Sequence, residues 1–362
     1  MDVIDLRSDT TTLPTRAMLE AMLSSAVGDD AFGEDQTTNA LEEYAAELLG
    51  KPAAIFTPSG TMSNQIALRL HTRPGDEVIL DESYHFNVYE SAPSADLAGV
   101  SLNTVKTDDG ILTPAHIAEA IDSKSRDFRY CQPAMLALEN TINFRGGRVV
   151  PLAALHRVAE FARSKGMRVH LDGARLFNAA VASGTEPRRY GAITDTLSVC
   201  FAKGLGAPFG SVLAGPADLI LRARIHRKSY GGAMHQCGHL AGAALYALRH
   251  NVTRLAEDHA VARHLASILA EHPALGVSPA TVDSNIVIAD LTSTGLPGDA
   301  VARAAGQRGL LVMPIGNAKV RFVTHMGVGI ADVAAAAAIF LEVLGLPCGR
   351  RASSQAGRAA GG

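Results

Sequence analysis

Two stretches, Val169-His-Leu-Asp-Gly-Ala-Arg175 and Ser198-Val-Cys-Phe-Ala-Lys203-Gly-Leu-Gly206, decide how the rest of the chain is read. The first is a short strand-like run that delivers Asp172 to its carboxyl end, and the second sets Lys203 just beyond another. In a parallel sheet both tips open on one crevice, where the active sites of such sheets gather. A carboxylate and a lysine so placed point to a pyridoxal phosphate (PLP) site. The lysine must form a Schiff base with the aldehyde, and the carboxylate must keep the ring nitrogen protonated so that the ring accepts carbanion electrons. Taken singly, Asp172 reads equally as a turn residue and Lys203 as a surface cation. The pair carries the argument.

Outward from that segment, short β-rich runs alternate with helical ones. Strands are expected over Ala53–Thr57, Glu77–Asp81, Met135–Glu139, Arg168–Asp172, Asp195–Ala202 and Ser211–Ala214. Thr38–Leu49 carries Leu41, Tyr44, Leu48 and Leu49 on one helical face before Gly50 and Pro52 stop it, and Ser59 is placed to cap a helix over Gly60–His71. Strands separated by helices imply crossover connections and a largely parallel sheet with helices on both faces. Beyond Asn251 the character changes: a long helix (Val252–His272), a strand (Ser284–Leu291), a helix (Gly298–Gln307), a strand (Lys319–Thr324) and a closing helix (Ala331–Leu344) form a smaller α/β unit. The expected division is 1–250 for an N-terminal segment and large cofactor-binding domain, 251–346 for a small C-terminal domain, and 347–362, rich in Gly, Ala, Ser and Arg, for a disordered tail.

The 362 residues leave room for about two domains. With 33 Lys and Arg against 36 Asp and Glu there is no basic field for nucleic acid, so that class of partner is disfavoured. The four cysteines form no C-x-x-C pair and read as reduced thiols. The N-terminus has no basic-then-apolar leader pattern, and no uncharged apolar stretch has the length of a membrane span, which leaves a soluble cytoplasmic protein as the expectation.

A PLP site also needs a phosphate cradle. Thr57-Pro-Ser-Gly-Thr-Met62 lies between a strand and a helix start, where backbone N–H groups and the Ser59 and Thr61 hydroxyls face the positive end of the helix dipole. His85, after a third strand, is placed to lie flat on a cofactor ring. Two other chemistries fit less well. Gly204-x-Gly206 follows a strand, but its spacing to Gly210 and the intervening Pro208 do not make a dinucleotide fingerprint. His235 and His239 are four apart, without the H-E-x-x-H pattern or a third ligand for a metal hydrolase, so no metal is expected.

Together with these segments, Asp5-Leu-Arg-Ser-Asp-Thr-Thr-Thr12, Gly28-Asp-Asp30, Phe32-Gly-Glu-Asp35, Tyr89-Glu90, Leu138-Glu-Asn-Thr141, Gly146-Gly-Arg148, Lys203-Gly-Leu-Gly-Ala-Pro208, Gly231-Gly232 and Arg321-Phe-Val-Thr-His325 resemble the L-threonine aldolases of the β-eliminating lyase superfamily, from residue 4 to about 345. The resemblance implies PLP-dependent fold type I: a mostly parallel central sheet flanked by helices, with a smaller C-terminal α/β domain. It implies cleavage of a β-hydroxy-α-L-amino acid to glycine and an aldehyde. Lys203 would carry the cofactor, Asp172 would face its ring nitrogen, Arg175 its ring hydroxyl, and His85 would stack on the ring. Ser59, Gly60 and Thr61 would hold the phosphate, with Lys228 and the loop containing His235 reaching it from a neighbouring subunit of at least a dimer, and by the family a homotetramer. Ser8 and Arg321 would clamp the substrate carboxylate, a bidentate task suited to guanidinium. The base is left between His85 and a water ordered by Glu90.

Two positions depart from the family pattern. Ile142 stands where a histidine usually approaches the substrate hydroxyl, and His235 where an arginine is associated with the phosphate. Ile142 therefore predicts a preference for a bulkier β-substituent. The departures also keep open a transaldolase or β-eliminating chemistry on the same scaffold, or a catalytically silent PLP-binding homologue.

Overall fold

The computed structural model describes residues 3–347; the expected tail lies, from residue 348 on, outside them. Among the described residues there are twelve strands: β1 (Ile4–Asp5), β2 (Ala53–Thr57), β3 (Glu77–Asp81), β4 (Ser101–Val105), β5 (Pro133–Glu139), β6 (Arg168–Gly173), β7 (Thr196–Cys200), β8 (Ser211–Gly215), β9 (Ile286–Asp290), β10 (Leu310–Leu311), β11 (Met313–Ile315) and β12 (Lys319–Val323). Seven form the central sheet in the order β2-β8-β7-β6-β5-β3-β4. β8 is antiparallel to both its neighbours and every other pairing is parallel. The inner strands are buried on both faces, as parallel strands under crossover helices must be, and this explains their continuous apolar runs.

Helices begin and end where local chemistry satisfies them. α1 (Arg16–Leu23) and α2 (Gln36–Leu49) precede β2, and α3 (Gly60–His71) follows it. Asp35 caps α2 by accepting from the Thr38 N–H, and Gly50 ends it at φ 64°, a left-handed conformation that costs glycine little. Ser59 caps α3 by accepting from the Met62 N–H. Leu41, Leu49, Phe56, Leu136, Val169 and Leu197 are wholly buried in the main core. Each such side chain contributes about 1.5–3 kcal/mol relative to exposure.

A second sheet, β11-β12-β9, is antiparallel and packs with the helices Leu255–Ala270 and Ile330–Val343 around Leu265, Phe322 and Phe340. The long helix expected from Val252 starts three residues later, after a turn. The N-terminal strand joins this C-terminal unit: β1 pairs in parallel with β10, and Leu6 is buried in the second core. The chain therefore passes from the small unit's edge into the crevice at Ser8 and Asp9 before entering the large one. Among the described residues no helix is long and apolar enough to cross a membrane.

Candidate active site

The carboxyl ends of β5, β6 and β7 deliver Glu139, Asp172 and, three residues past β7, Lys203 to one crevice. Asp172 is buried and accepts hydrogen bonds from the Ala174 N–H at 2.9 Å and Asn64 Nδ2 at 2.8 Å. Burial opposes its ionisation, but the charges of His85 and Lys203 and these donors outweigh it and hold its carboxyl below the usual carboxylate range.

His85 opens the short helix α4 (His85–Val88). Its backbone N–H donates to Glu139 at 2.5 Å, and its Nδ1 lies 2.5 Å from Glu90 Oε1. Burial lowers its proton affinity, and the Glu90 hydrogen bond with the Asp172 and Glu90 charges more than restores it, so the imidazole titrates above its ordinary value. Glu90 is fixed in turn by Asn64 Nδ2 at 3.1 Å and Gln65 Nε2 at 3.2 Å. Ligating atoms of His85, Glu90 and Asp172 lie within 4.8 Å of one another, but all three are engaged in this hydrogen-bonded cluster. Glu139, buried beside Asp172, is pushed up to about 7, first by burial and then by that neighbouring charge.

On the other side of the crevice Arg175, buried, donates from Nε and Nη2 to Asp9 and from Nη1 to Asn143 Oδ1 at 3.3 Å. Arg321, from β12, donates to the same Asn143 oxygen at 3.0 Å and to the Arg7 carbonyl at 3.1 Å, next to Ser8. Its Nε is buried without a hydrogen-bond partner among the described residues, an orphaned donor of the kind a carboxylate satisfies. Ser8 caps the turn Asp9–Thr11 through the Thr10 N–H. The structure thus brings Ser8, Arg175 and Arg321 together around Asn143 and Asp9.

At the start of α3 the N–H groups of Gly60 and Thr61 have no carbonyl one turn back, and the space over the Gly60 Cα is open. Gly232 lies against Met62 and Pro58 so closely that a Cβ there would overlap the Met62 sulfur, which brings the Gly231–Gly232 turn beside this cradle within the same chain. Lys228 is exposed in the last turn of the helix Ala217–Ser229, and His235, also exposed, pairs with Asp29 at 3.0 Å. His239 Nδ1 bonds to the Met22 carbonyl. Ile142 is wholly buried and packs toward Gly110. It has no exposed surface in the chain as it stands.

The model of the beta-eliminating lyase family matches residues 5–292. The chain belongs to that family. This lyase-family chain is 42% identical over 343 residues to the low specificity L-threonine aldolase of Escherichia coli (strain K12), covering 92% of this chain and 98% of the relative. It is 40% identical over 333 residues to the probable low-specificity L-threonine aldolase 2 of Arabidopsis thaliana, covering 91% and 94%. The threonine aldolase of Leishmania major superposes with a TM-score of 0.79 at 21% identity over 93% of this chain and 98% of that one. The serine palmitoyltransferase of Sphingomonas wittichii does so with a TM-score of 0.73 at 18% identity, covering 95% and 89%. The fold of this lyase-family chain is accordingly that of PLP-dependent fold type I enzymes.

Several residues of the site escaped the sequence reading as individuals. Asp9, Glu139 and His170 lie inside quoted motifs without a role of their own, and Asn64, Asn143 and Asn285 lie outside them. A signal existed for His170: Val169-His-Leu-Asp172 alternates apolar and polar in a strand buried on both faces, which demands a partner for each polar side chain. Asn285, which donates to Asp9 at 3.2 Å, comes from the distant small unit and left no local trace.

Proposed function

We propose that this protein is a PLP-dependent aldolase that cleaves a β-hydroxy-α-L-amino acid to glycine and an aldehyde. The observation that carries the reading is the donor set at the strand tips, a lysine and an ionised buried carboxylate on adjacent strands beside a helix N-terminus with free N–H groups, which fits PLP in charge and kind. Close similarity to low-specificity L-threonine aldolases over nearly the whole chain supports the substrate class. Bound PLP supplies an aldehyde for attachment and an electron sink for the charge left when a bond at Cα breaks.

The chain's own residues do the rest. Lys203 Nζ would be the attachment point, and Asp172 would hold the ring nitrogen protonated. Ser59, Gly60 and Thr61 hold the phosphate. Arg321, with Ser8 beside it, would hold the substrate carboxylate and so fix the orientation of the substrate Cα. Arg175 retains two N–H groups not directed at Asp9 or Asn143, enough for one further acceptor. His85, backed by Glu90, takes the β-hydroxyl proton as the aldehyde departs, and returns one to the Cα that becomes glycine.

Lys228 and His235 are assigned to the cofactor phosphate of a neighbouring subunit in an assembly of at least two copies, and of four in the family's pattern. Leu221, Ile225 and Lys228 are exposed at four- and three-residue spacing on one helix, an apolar face ending in a cation, which favours such a contact. The enzyme is placed in the cytoplasm.

The test is product analysis with threonine, allo-threonine and phenylserine. The reading predicts glycine and the matching aldehyde in equal amounts. A 2-oxo acid with ammonia, or no turnover by PLP-loaded protein, would count against it.

A further inference from the structure

Where α3 crosses the central sheet, the apolar face is interrupted by a block of polar side chains. β6 contributes His170 and Asp172 and β7 contributes Thr196 and Ser198, with His170 opposite Thr196 and Asp172 opposite Ser198. α3 adds Asn64 and His71, seven residues and about two turns apart, hence on one helix face. Asn64, His170, Asp172, Thr196 and Ser198 are all buried, where an unpaired polar group is costly. They are paired: His71 Nε2 with Thr196 Oγ1 at 2.8 Å, Thr196 Oγ1 with His170 Nδ1 at 2.9 Å, and His170 Nε2 with Asn64 Oδ1 at 3.2 Å. The Asn64 Nδ2 group then donates to Asp172 at 2.8 Å and Glu90 at 3.1 Å.

Donor and acceptor chemistry allows this chain to run in one direction only. Two carboxylates on the same side of Asn64 require its NH2 there, so its oxygen faces His170 and Ser198, whose hydroxyl donates to it at 2.9 Å. An amide oxygen opposite Nε2 requires that His170 carry its proton on Nε2, leaving Nδ1 bare. Thr196 must then donate to Nδ1, and its oxygen is left to accept from His71 Nε2–H. Burial keeps both rings neutral, His170 at about 3 and His71 at about 4, so what is passed along is dipole alignment and not charge. Every dipole turns its positive end toward Asp172, and aligned hydrogen bonds in a low dielectric strengthen one another. A network serving packing alone would need no common direction and no carboxylate at its end.

We propose that Asn64 is a positioning residue for the reaction, the last link of a one-way relay from His71 through Thr196 and His170 that keeps Asp172 negatively charged and aimed at the cofactor's ring nitrogen. The inference rests on the PLP reading above. It goes beyond it in assigning part of the stabilisation of Asp172 to side chains that touch neither cofactor nor substrate. The charges of His85 and Lys203 and the Ala174 N–H supply the larger part, and the Asn64 donor adds to them.

Two measurements test it, neither of them activity. In wild-type holoenzyme, 15N NMR of the buried histidines must find His170 protonated on Nε2; protonation on Nδ1 reverses the chain and overturns the proposal, whether or not any variant folds. In holoenzyme loaded with ring-15N PLP, Asn64→Leu must shift the proton shared between the ring nitrogen and Asp172 about tenfold toward the carboxylate, the scale of losing one charge-assisted donor, read as a 15N shift displaced toward the unprotonated value. Folded, loaded Asn64→Leu protein whose ring 15N shift is that of wild type overturns the inference and leaves the PLP reading standing. Wild-type protein that binds no PLP defeats the parent reading, and the inference with it.

Discussion

Arg175 and Asp9, 166 positions apart in the chain, form a two-point ion pair, with Nε and Nη2 at 2.8 and 2.7 Å from the two carboxylate oxygens. Both side chains are buried. Burial works against the Asp9 charge, but Arg175 more than offsets it and holds the carboxyl near 2. The pair ties the N-terminal segment, whose β1 belongs to the small unit's edge, to the end of β6 in the large sheet. It also sets Arg175 beside Asn143, the residue it shares with Arg321.

Replacing Asp9 by Asn leaves a buried guanidinium without its counter-ion, and breaking a buried pair from one side costs about 3–5 kcal/mol. Urea unfolding of Asp9→Asn should show a loss of that order relative to wild type. Because the folded carboxyl titrates below its ordinary value of 3.8, its contribution is complete above about pH 4 and is lost as pH falls through about 2. A variant as stable as wild type at pH 7 would show that the pair does not join the two units.

Glu139 has the opposite sign. Its folded value near 7 lies above the ordinary 4.5, so the folded state binds the extra proton between those values and stability drains away as pH rises through that window. Other buried groups titrate nearby, so the informative quantity is a difference. Relative to wild type, Glu139→Gln should gain on the order of 3 kcal/mol as pH rises from about 4.5 through about 7 and be flat well outside that window. A difference independent of pH would mean that Glu139 is ionised throughout.

How much of this was legible can be judged from single elements. The strands β2, β3, β5, β6, β7 and β8 were each readable as short apolar runs between turn signals, and Ser59 as a cap, because burial on both faces forces unbroken hydrophobicity. Edge strand β4, Ser101-Leu-Asn-Thr-Val105, has no such run: its side chains are exposed or half-buried and it went unread. β1 and β10 are two residues each and exist only because they pair with one another across the chain. In the site, Lys203 and Asp172 were legible from their place after strands, and Arg321 from its motif. Asn64 was not, since an asparagine within a helix reads as a solvated residue until the sheet beneath it is known to carry Asp172. Ile142 is implied as a substrate contact by its position in the motif alone, and its side chain packs in the core beside Gly110.

Gly173 follows Asp172 where β6 meets β7. A Cβ there would come within 2.5 Å of the Ser198 carbonyl oxygen, which is backbone and has little room to yield. Gly173→Ala should destabilise the protein by about 1–3 kcal/mol and weaken PLP binding by displacing Asp172, measurable as a lower melting temperature and a raised cofactor Kd. Unchanged values for both would show that the strand tip tolerates movement.

Arg321 should be needed as a guanidinium and not merely as a charge. Its Nη1 donates to Asn143 and its Nη2 to the Arg7 carbonyl and the Met313 sulfur, while Nε and the second Nη1 N–H have no partner among the described residues. Arg321→Lys should raise KM for threonine by about tenfold or more, with a smaller effect on kcat, the loss expected for a charge-assisted hydrogen bond to a carboxylate. Steady-state kinetics decides; an unaltered KM would remove Arg321 from the carboxylate site.

The most direct test of the whole account is chemical. Purified protein loaded with PLP is reduced with borohydride, digested and mapped by mass spectrometry, with Lys203→Ala treated in parallel. The account predicts a single reduced PLP adduct, on Lys203 Nζ, absent from the variant. An adduct on another lysine, or none on loaded wild-type protein, would contradict it.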